Sequence, residues 1–155
     1  MLQTTICYLT VDEKTLLIHR VKKKNDMNHD KWIGIGGKFE FGESPEECNL
    51  REFKEETGLT LTSWKYRGIV TFVMGDVCEY MHLFSADGYE GALSDCDEGT
   101  LEWVEADKVP ELPTWEGDRV FLQLLRERES FFSLKLVYEN EHLVRVLLDG
   151  RQMSE

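Results

Sequence analysis

No apolar run in this sequence approaches the roughly 20 residues that span a bilayer, so a membrane helix is not expected. Basic residues are scarce: 18 Lys and Arg stand against 30 Asp and Glu, a formal net charge of -12. That balance argues against bulk attraction to a nucleic acid backbone or an anionic membrane. A polyanionic ligand must then be met locally, by a few basic groups or by bound cations. The four cysteines, Cys7, Cys48, Cys78 and Cys96, include no C-x-x-C pair and follow no secretory leader, so reduced thiols in a cytoplasmic protein are expected. His19, His29, His82 and His142 are scattered and form no H-E-x-x-H pattern, which removes zinc and histidine-centred hydrolysis from the chemistry to be considered. Repeats, low-complexity tracts and linkers are also missing. One domain over residues 1–155 is expected, long enough to bury a core without metal or disulfide staples.

What is present is a succession of β-branched and apolar runs. "TICYLTV" and "LLIHRV", separated by "DEKT", predict antiparallel strands near 4–11 and 16–21, followed by a polar loop, "KKKNDMNHD". "GIVTFVM", "EYMHLFSA" and "TLEWVEA" are further strands, the last near 100–106. "EGDRVFLQLLRERES" has helical periodicity, and "FSLKLVYENEHLVRVLLD" reads as a hairpin turning at Glu139 to Glu141. Strands, a helix, strands, a second helix and a hairpin make an α+β domain with a mixed sheet between helices.

The first helix raises the functional question. Ser44-Pro45-Glu46-Glu47 starts it on three counts: a Ser N-cap, Pro at the first helical position and Glu completing a capping box. Gly58 supplies the stop. At 100° per residue, Leu50, Phe53 and Thr57 share one side, and Glu52, Glu55 and Glu56 group roughly opposite. Like charges at this spacing cost about 0.2–0.5 kcal/mol per pair on an exposed helix, so a sequence tuned only for stability would avoid them. Hard cations such as Mg²⁺ require such carboxylates and leave positions open for water and phosphates. A merely solvated acidic face is the competing reading. Upstream, "GIGGK" reads as a glycine-rich turn that a ligand can approach closely, with Lys38 to meet phosphate charge.

The string from Gly37 to Leu59 resembles the Nudix box, G-x5-E-x7-R-E-U-x-E-E-x-G-U with U apolar, through Gly37, Glu43, Arg51, Glu52, Phe53, Glu55, Glu56, Gly58 and Leu59. Every fixed position is filled, a coincidence of roughly one in 10⁸ at ordinary residue frequencies. "KWIGIGGK", "CDEGTLEW" and "PTWEGD" are similar to the MutT- and MutX-type branch of that family and, in layout, to its vertebrate oxidised-purine triphosphatases. The resemblance implies an α/β/α sandwich, with the box as loop-helix-loop, that hydrolyses a nucleoside diphosphate linked to a further group. It also implies that Glu98, otherwise one acid in an acidic turn, joins the metal site.

On that reading Mg²⁺, with Mn²⁺ as a substitute, is held by Glu52, Glu55, Glu56 and Glu98 with the Gly36 carbonyl. The substrate is a nucleoside triphosphate. Arg51 holds the carboxylates in place and Glu43 pairs with it. Arg20 and Lys38 are phosphate-contact candidates, and Glu52, Glu55 and Glu98 all remain candidates for general base. After Pro113, Trp115 offers a face to stack on a purine and Asp118 an acid to bond its edge; packing and helix-start roles are the alternatives. The vertebrate enzymes carry an Asn between the Trp and Gly of the strand leading into the box, where this chain has Ile33, which cannot hydrogen-bond a base. Three functions stay open: hydrolysis of an oxidised purine triphosphate such as 8-oxo-dGTP to its monophosphate and pyrophosphate, hydrolysis of another nucleotide (a dNTP, a dinucleoside polyphosphate or ADP-ribose), or a silent nucleotide-binding module. The third is disfavoured because no box glutamate is missing. The sequence leaves the oligomeric state open and is compatible with a monomer.

Overall fold

Strand β1 (Leu2–Val11) faces two cores at once, because its side chains alternate. Cys7 and Leu9 enter a core with Leu16, Ile18, Ile35, Phe53 and Phe84, while Tyr8 enters a second with Leu17, Val70, Leu83, Phe121 and Leu136. The computed structural model describes residues 1–22 and 25–153, so Lys23 and Lys24 of the polar loop lie outside the described residues. The other strands are β2 (Lys14–His19), β3 (Trp32–Ile33), β4 (Thr60–Met74), β5 (Val77–Glu90), β6 (Thr100–Glu105), β7 (Phe132–Glu139), β8 (His142–Leu148) and β9 (Arg151–Gln152). They form one sheet in the order β3-β2-β1-β5-β4-β7-β8-β9, with β6 also pairing β2. β1 runs parallel to β5 and β4 to β7, and the remaining pairs are antiparallel, so the sheet is mixed as expected. Among the described residues no helix is long and apolar enough to cross a membrane.

Helix α1 (Pro45–Thr57) covers one face of the sheet, anchored by the fully buried Phe53 and Thr57, with Leu50 packed at the edge of the same core. Its start is as the sequence predicts. Ser44 Oγ accepts the Glu47 N–H at 3.1 Å, and Glu47 Oε1 accepts the Ser44 N–H at 2.9 Å. Such a cap is worth about 1 kcal/mol. Gly58, at φ +83°, ends the helix in the left-handed region and donates its N–H to Lys54 O.

Helix α2 (Glu116–Glu127) covers the other face through Phe121 and Leu124. Two buried groups fix its ends. Gly117 N–H donates to the Tyr138 hydroxyl at 2.6 Å. At the other end Arg67 donates to Leu125 O at 3.0 Å and to Arg128 O, where the helix dipole favours a cation. The helix stops at Glu127, short of the expected 130, because Arg128 is extended. The hairpin of β7 and β8 turns at Asn140 and Glu141, both at positive φ. β4 opens at Thr60, well before the expected "GIVTFVM", in a stretch where three register shifts between Leu61 and Gly68 disturb the alternation that marks a strand.

Candidate active site

The segment after β3 is not the open glycine-rich turn that its composition suggests. It lies extended along β1: Cys7 and Ile35 exchange backbone bonds of 2.7 and 3.0 Å, Thr5 N–H donates to Gly37 O at 2.9 Å, and Phe39 N–H to Gln3 O at 3.1 Å. Gly36 permits that approach, since a Cβ there would lie 1.8 Å from the Thr5 carbonyl oxygen. Gly36→Ala is therefore expected to part the box loop from β1 and to lower stability by about 3 kcal/mol, read as a drop in Tm. The stitching matters for the site because Gly37 lies directly against the Glu52 carboxylate.

Arg51 is the hub of the helix cluster. Its guanidinium meets Glu43 at 2.6 Å, Glu52 at 2.9 Å, Glu40 at 3.0 Å and Glu55 at 3.1 Å, and it also donates to Lys38 O. Hydrogen bonds from Arg51 pull the Glu43 carboxyl down to about 2. The three box glutamates thus do not form one bare acidic face. Glu52 is largely covered, Glu55 is exposed at 59% of its side chain, and both turn toward Arg51. Much of the repulsion read from their spacing is offset within the helix.

Glu56 stands apart from that web. It is half-buried, and its carboxyl is raised by burial and by the charges of Glu98 and Glu52, against a lowering contact from Cys96. Cys96 Sγ lies 3.1 Å from Glu56 Oε2 and so joins the turn carrying Glu98 to α1. Arg20 sits between: it meets Asp26 at 2.6 Å and Glu98 at 3.5 Å and is itself mostly covered. The structure thus brings Glu52, Glu56 and Glu98 into one field and leaves Glu55 outside with Arg51.

Among the described residues no group of three or more carboxylates, histidines or cysteines is already gathered as metal ligands. The reason lies in the partners just given. Glu52 and Glu55 bond Arg51, Glu56 bonds Cys96, and Glu98 is ion-paired with Arg20. The donor set nevertheless suits a hard divalent cation, because it is all oxygen, and burial together with the neighbouring charges of Glu98 and Glu52 holds the Glu56 carboxyl up. Of the two phosphate candidates, Arg20 is tied to Asp26 and Glu98, whereas Lys38 is exposed beside the box.

A cavity of about 190 Å³ runs from Gly36 and Gly37 to Trp115 and Asp118, with Ile33, Phe72 and Met81 among its walls. Trp115 is 8% exposed and packs edge-on to Phe72 and Tyr138, at 5.9 and 5.4 Å between ring centroids, so it serves the core and the cavity together. Its indole N–H donates to Asn28 Oδ1 at 2.6 Å, and Lys31 Nζ lies 4.7 Å from its ring centre. Asp118 is buried, accepts from the Thr114 hydroxyl at 2.9 Å, and has its carboxyl pushed up to about 7. Burial is the main cause; Glu79 adds to it, while Thr114, Arg119 and Lys31 act the other way. Sequence reasoning missed Asn28, Glu79 and Thr4, which also line this cavity. No local pattern marks them, because loop folding and strand pairing bring them here.

The NUDIX domain family matches residues 1–125. A Bacillus subtilis (strain 168) protein named uncharacterized Nudix hydrolase YvcI is 31% identical over 98% of this chain and 97% of its own length. The oxidized purine nucleoside triphosphate hydrolase of Danio rerio is 33% identical over 82% of this chain and 83% of its own. The crystal structure of a mutator MutT protein from Bacillus halodurans superposes with a TM-score of 0.86 at 29% identity, covering 96% of this chain and 98% of that one. The box, the sheet that carries it and these relatives agree: the chain belongs to the Nudix hydrolase family.

Proposed function

We propose that this Nudix hydrolase acts on purine nucleoside triphosphates, including oxidised ones such as 8-oxo-dGTP, and releases the monophosphate and pyrophosphate. The observation that carries this reading is the continuity of one cavity from an aromatic, acid-bearing end at Trp115 and Asp118 to the box at Gly36 and Gly37, beside Glu52. A purine in that end directs its phosphates toward the carboxylates. The relatives from Danio rerio and Mus musculus named oxidized purine nucleoside triphosphate hydrolases lend support, at 33% and 32% identity.

Phosphoanhydride hydrolysis asks the protein mainly for positioning and charge compensation. Glu52, Glu56 and Glu98, with Glu55 and the Gly36 carbonyl, would hold Mg²⁺, or Mn²⁺ in its place. When bound, such an ion neutralises phosphate charge and acidifies a coordinated water. The chain's own residues do the rest. Arg51 orients Glu52 and Glu55 from the helix surface, and Glu43 fixes Arg51 in turn. Lys38 meets phosphate from the loop, and Arg20 does so by exchanging its bond to Asp26. Glu52, Glu55 and Glu98 share the candidacy for general base. Removal of oxidised purines from a cytoplasmic nucleotide pool is the role this activity serves.

The test is a panel of nucleotides incubated with Mg²⁺: 8-oxo-dGTP, dGTP, dATP, a dinucleoside polyphosphate and ADP-ribose. Purine triphosphates are expected to lead in kcat/KM. A clear lead for ADP-ribose or the dinucleotide overturns the reading.

A further inference from the structure

We infer that Glu79 is a second base-reading carboxylate and that the cavity takes guanine-type purines, whose edge carries adjacent N–H donors, ahead of adenine-type ones. The inference rests on the purine reading of the site given above. Glu79 lies on β5, far from α2 in sequence, and lines the same cavity as Asp118. The parallel register of β1 and β5 pairs Leu2 with Glu79 and Thr4 with Met81, which sets Thr4 diagonal to the acid. Thr4 Oγ1 donates to Glu79 Oε2 at 2.7 Å.

Each polar group in the cavity is held by a protein neighbour: Thr4 holds Glu79, Thr114 holds Asp118, and the Trp115 indole holds the Asn28 oxygen. What these groups leave for a ligand is therefore defined. Above about pH 7, where Asp118 has given up its proton, the two acids offer acceptor oxygens, and Asn28, its oxygen engaged, offers its amide N–H donors. A guanine edge presents N1–H and the 2-amino group side by side, next to the O6 acceptor, and so complements two acids and one amide. An 8-oxo base adds a further N–H at N7. An adenine edge presents one amino group beside the bare N1 acceptor, which leaves one acid facing a lone pair. A site built around hydrogen-bonding groups rejects a ligand that leaves one of them unpaired.

The experiment compares kcat and KM of wild type, Glu79→Gln and Glu79→Ala on dGTP, 8-oxo-dGTP and dATP at about pH 8, above the Asp118 titration. Gln keeps an oxygen for Thr4, so the strand contact survives while the charge is lost. The guanine-over-adenine ratio of kcat/KM is expected to fall by about 10- to 100-fold in Glu79→Gln, mainly through KM for the guanine substrates. An unchanged ratio, or an equal loss on all three substrates, overturns the role of Glu79 and leaves the purine reading standing. Failure of wild type to hydrolyse any of the three overturns both.

Discussion

Glu56→Gln and Glu55→Gln are each expected to lower kcat by about 100-fold or more, a loss typical of removing a group that handles metal or proton in the reaction. The two side chains sit in different surroundings. Glu56 is half-buried among Glu52, Glu98 and Cys96, whereas Glu55 is exposed and bound to Arg51. Neither faces the Phe53 core, so both variants should fold. Without metal, Glu56→Gln should be at least as stable as wild type, because it removes one of three crowded acids. Glu55→Gln should lose a little, because it breaks an exposed ion pair worth well under about 1 kcal/mol. Steady-state rates with Mg²⁺ and thermal unfolding with EDTA separate the two effects. Near-normal turnover in both variants removes the metal-site reading.

Asp118→Asn should abolish a fall in stability between about pH 4 and pH 7. In the folded chain the Asp118 carboxyl keeps its proton to about 7, against an ordinary value of 3.8. The folded state therefore binds the extra proton within that window. Stability from the neutral acid is full below the ordinary value and is lost as pH rises through about 7. Over the whole window the loss is about 4 kcal/mol in order of magnitude. Groups packed on Asp118, namely Thr114, Arg119, Lys31, Glu79 and the hydroxyls of Tyr8 and Tyr138, remain in both proteins, so the difference between wild type and variant isolates this acid. Urea unfolding at pH 5, 6, 7 and 8 reads it directly: the gap between the two should widen to pH 7 and then level. In kinetics at about pH 8, where Asp118 is ionised, Asp118→Ala should lower kcat/KM on purine triphosphates by about 10- to 100-fold, as for one buried charge-assisted hydrogen bond. A constant gap in stability together with wild-type kinetics would show that Asp118 is only a helix-start residue.

The box was legible because its signal is local. Ser44, Glu47 and Gly58 cap α1 through bonds within a few residues, and the spacing of Arg51, Glu52, Glu55 and Glu56 is set by the helix alone. Glu43 as the partner of Arg51 was legible for the same reason, while Glu40 in that web was not anticipated. The opening of β4 was hidden by its register shifts, and β3 by having only two residues. Long-range placement is where residue patterns fell silent. Glu98 became a candidate only through family resemblance; in the structure it lies 3.5 Å from Arg20, on the turn whose Cys96 bonds Glu56. Glu79 and Thr4 meet only because β1 and β5 pair in parallel. Trp115, a packing or a purine-stacking residue on sequence alone, is buried in the core and also lines the cavity wall.

The central claim is tested most directly by a single turnover assay in ¹⁸O-labelled water, with Mg²⁺ and 8-oxo-dGTP or dGTP as substrate. If water attacks the β-phosphorus, the products are the monophosphate and pyrophosphate, with the label in pyrophosphate. A nucleoside diphosphate and inorganic phosphate as main products, or label confined to the monophosphate, would contradict the account.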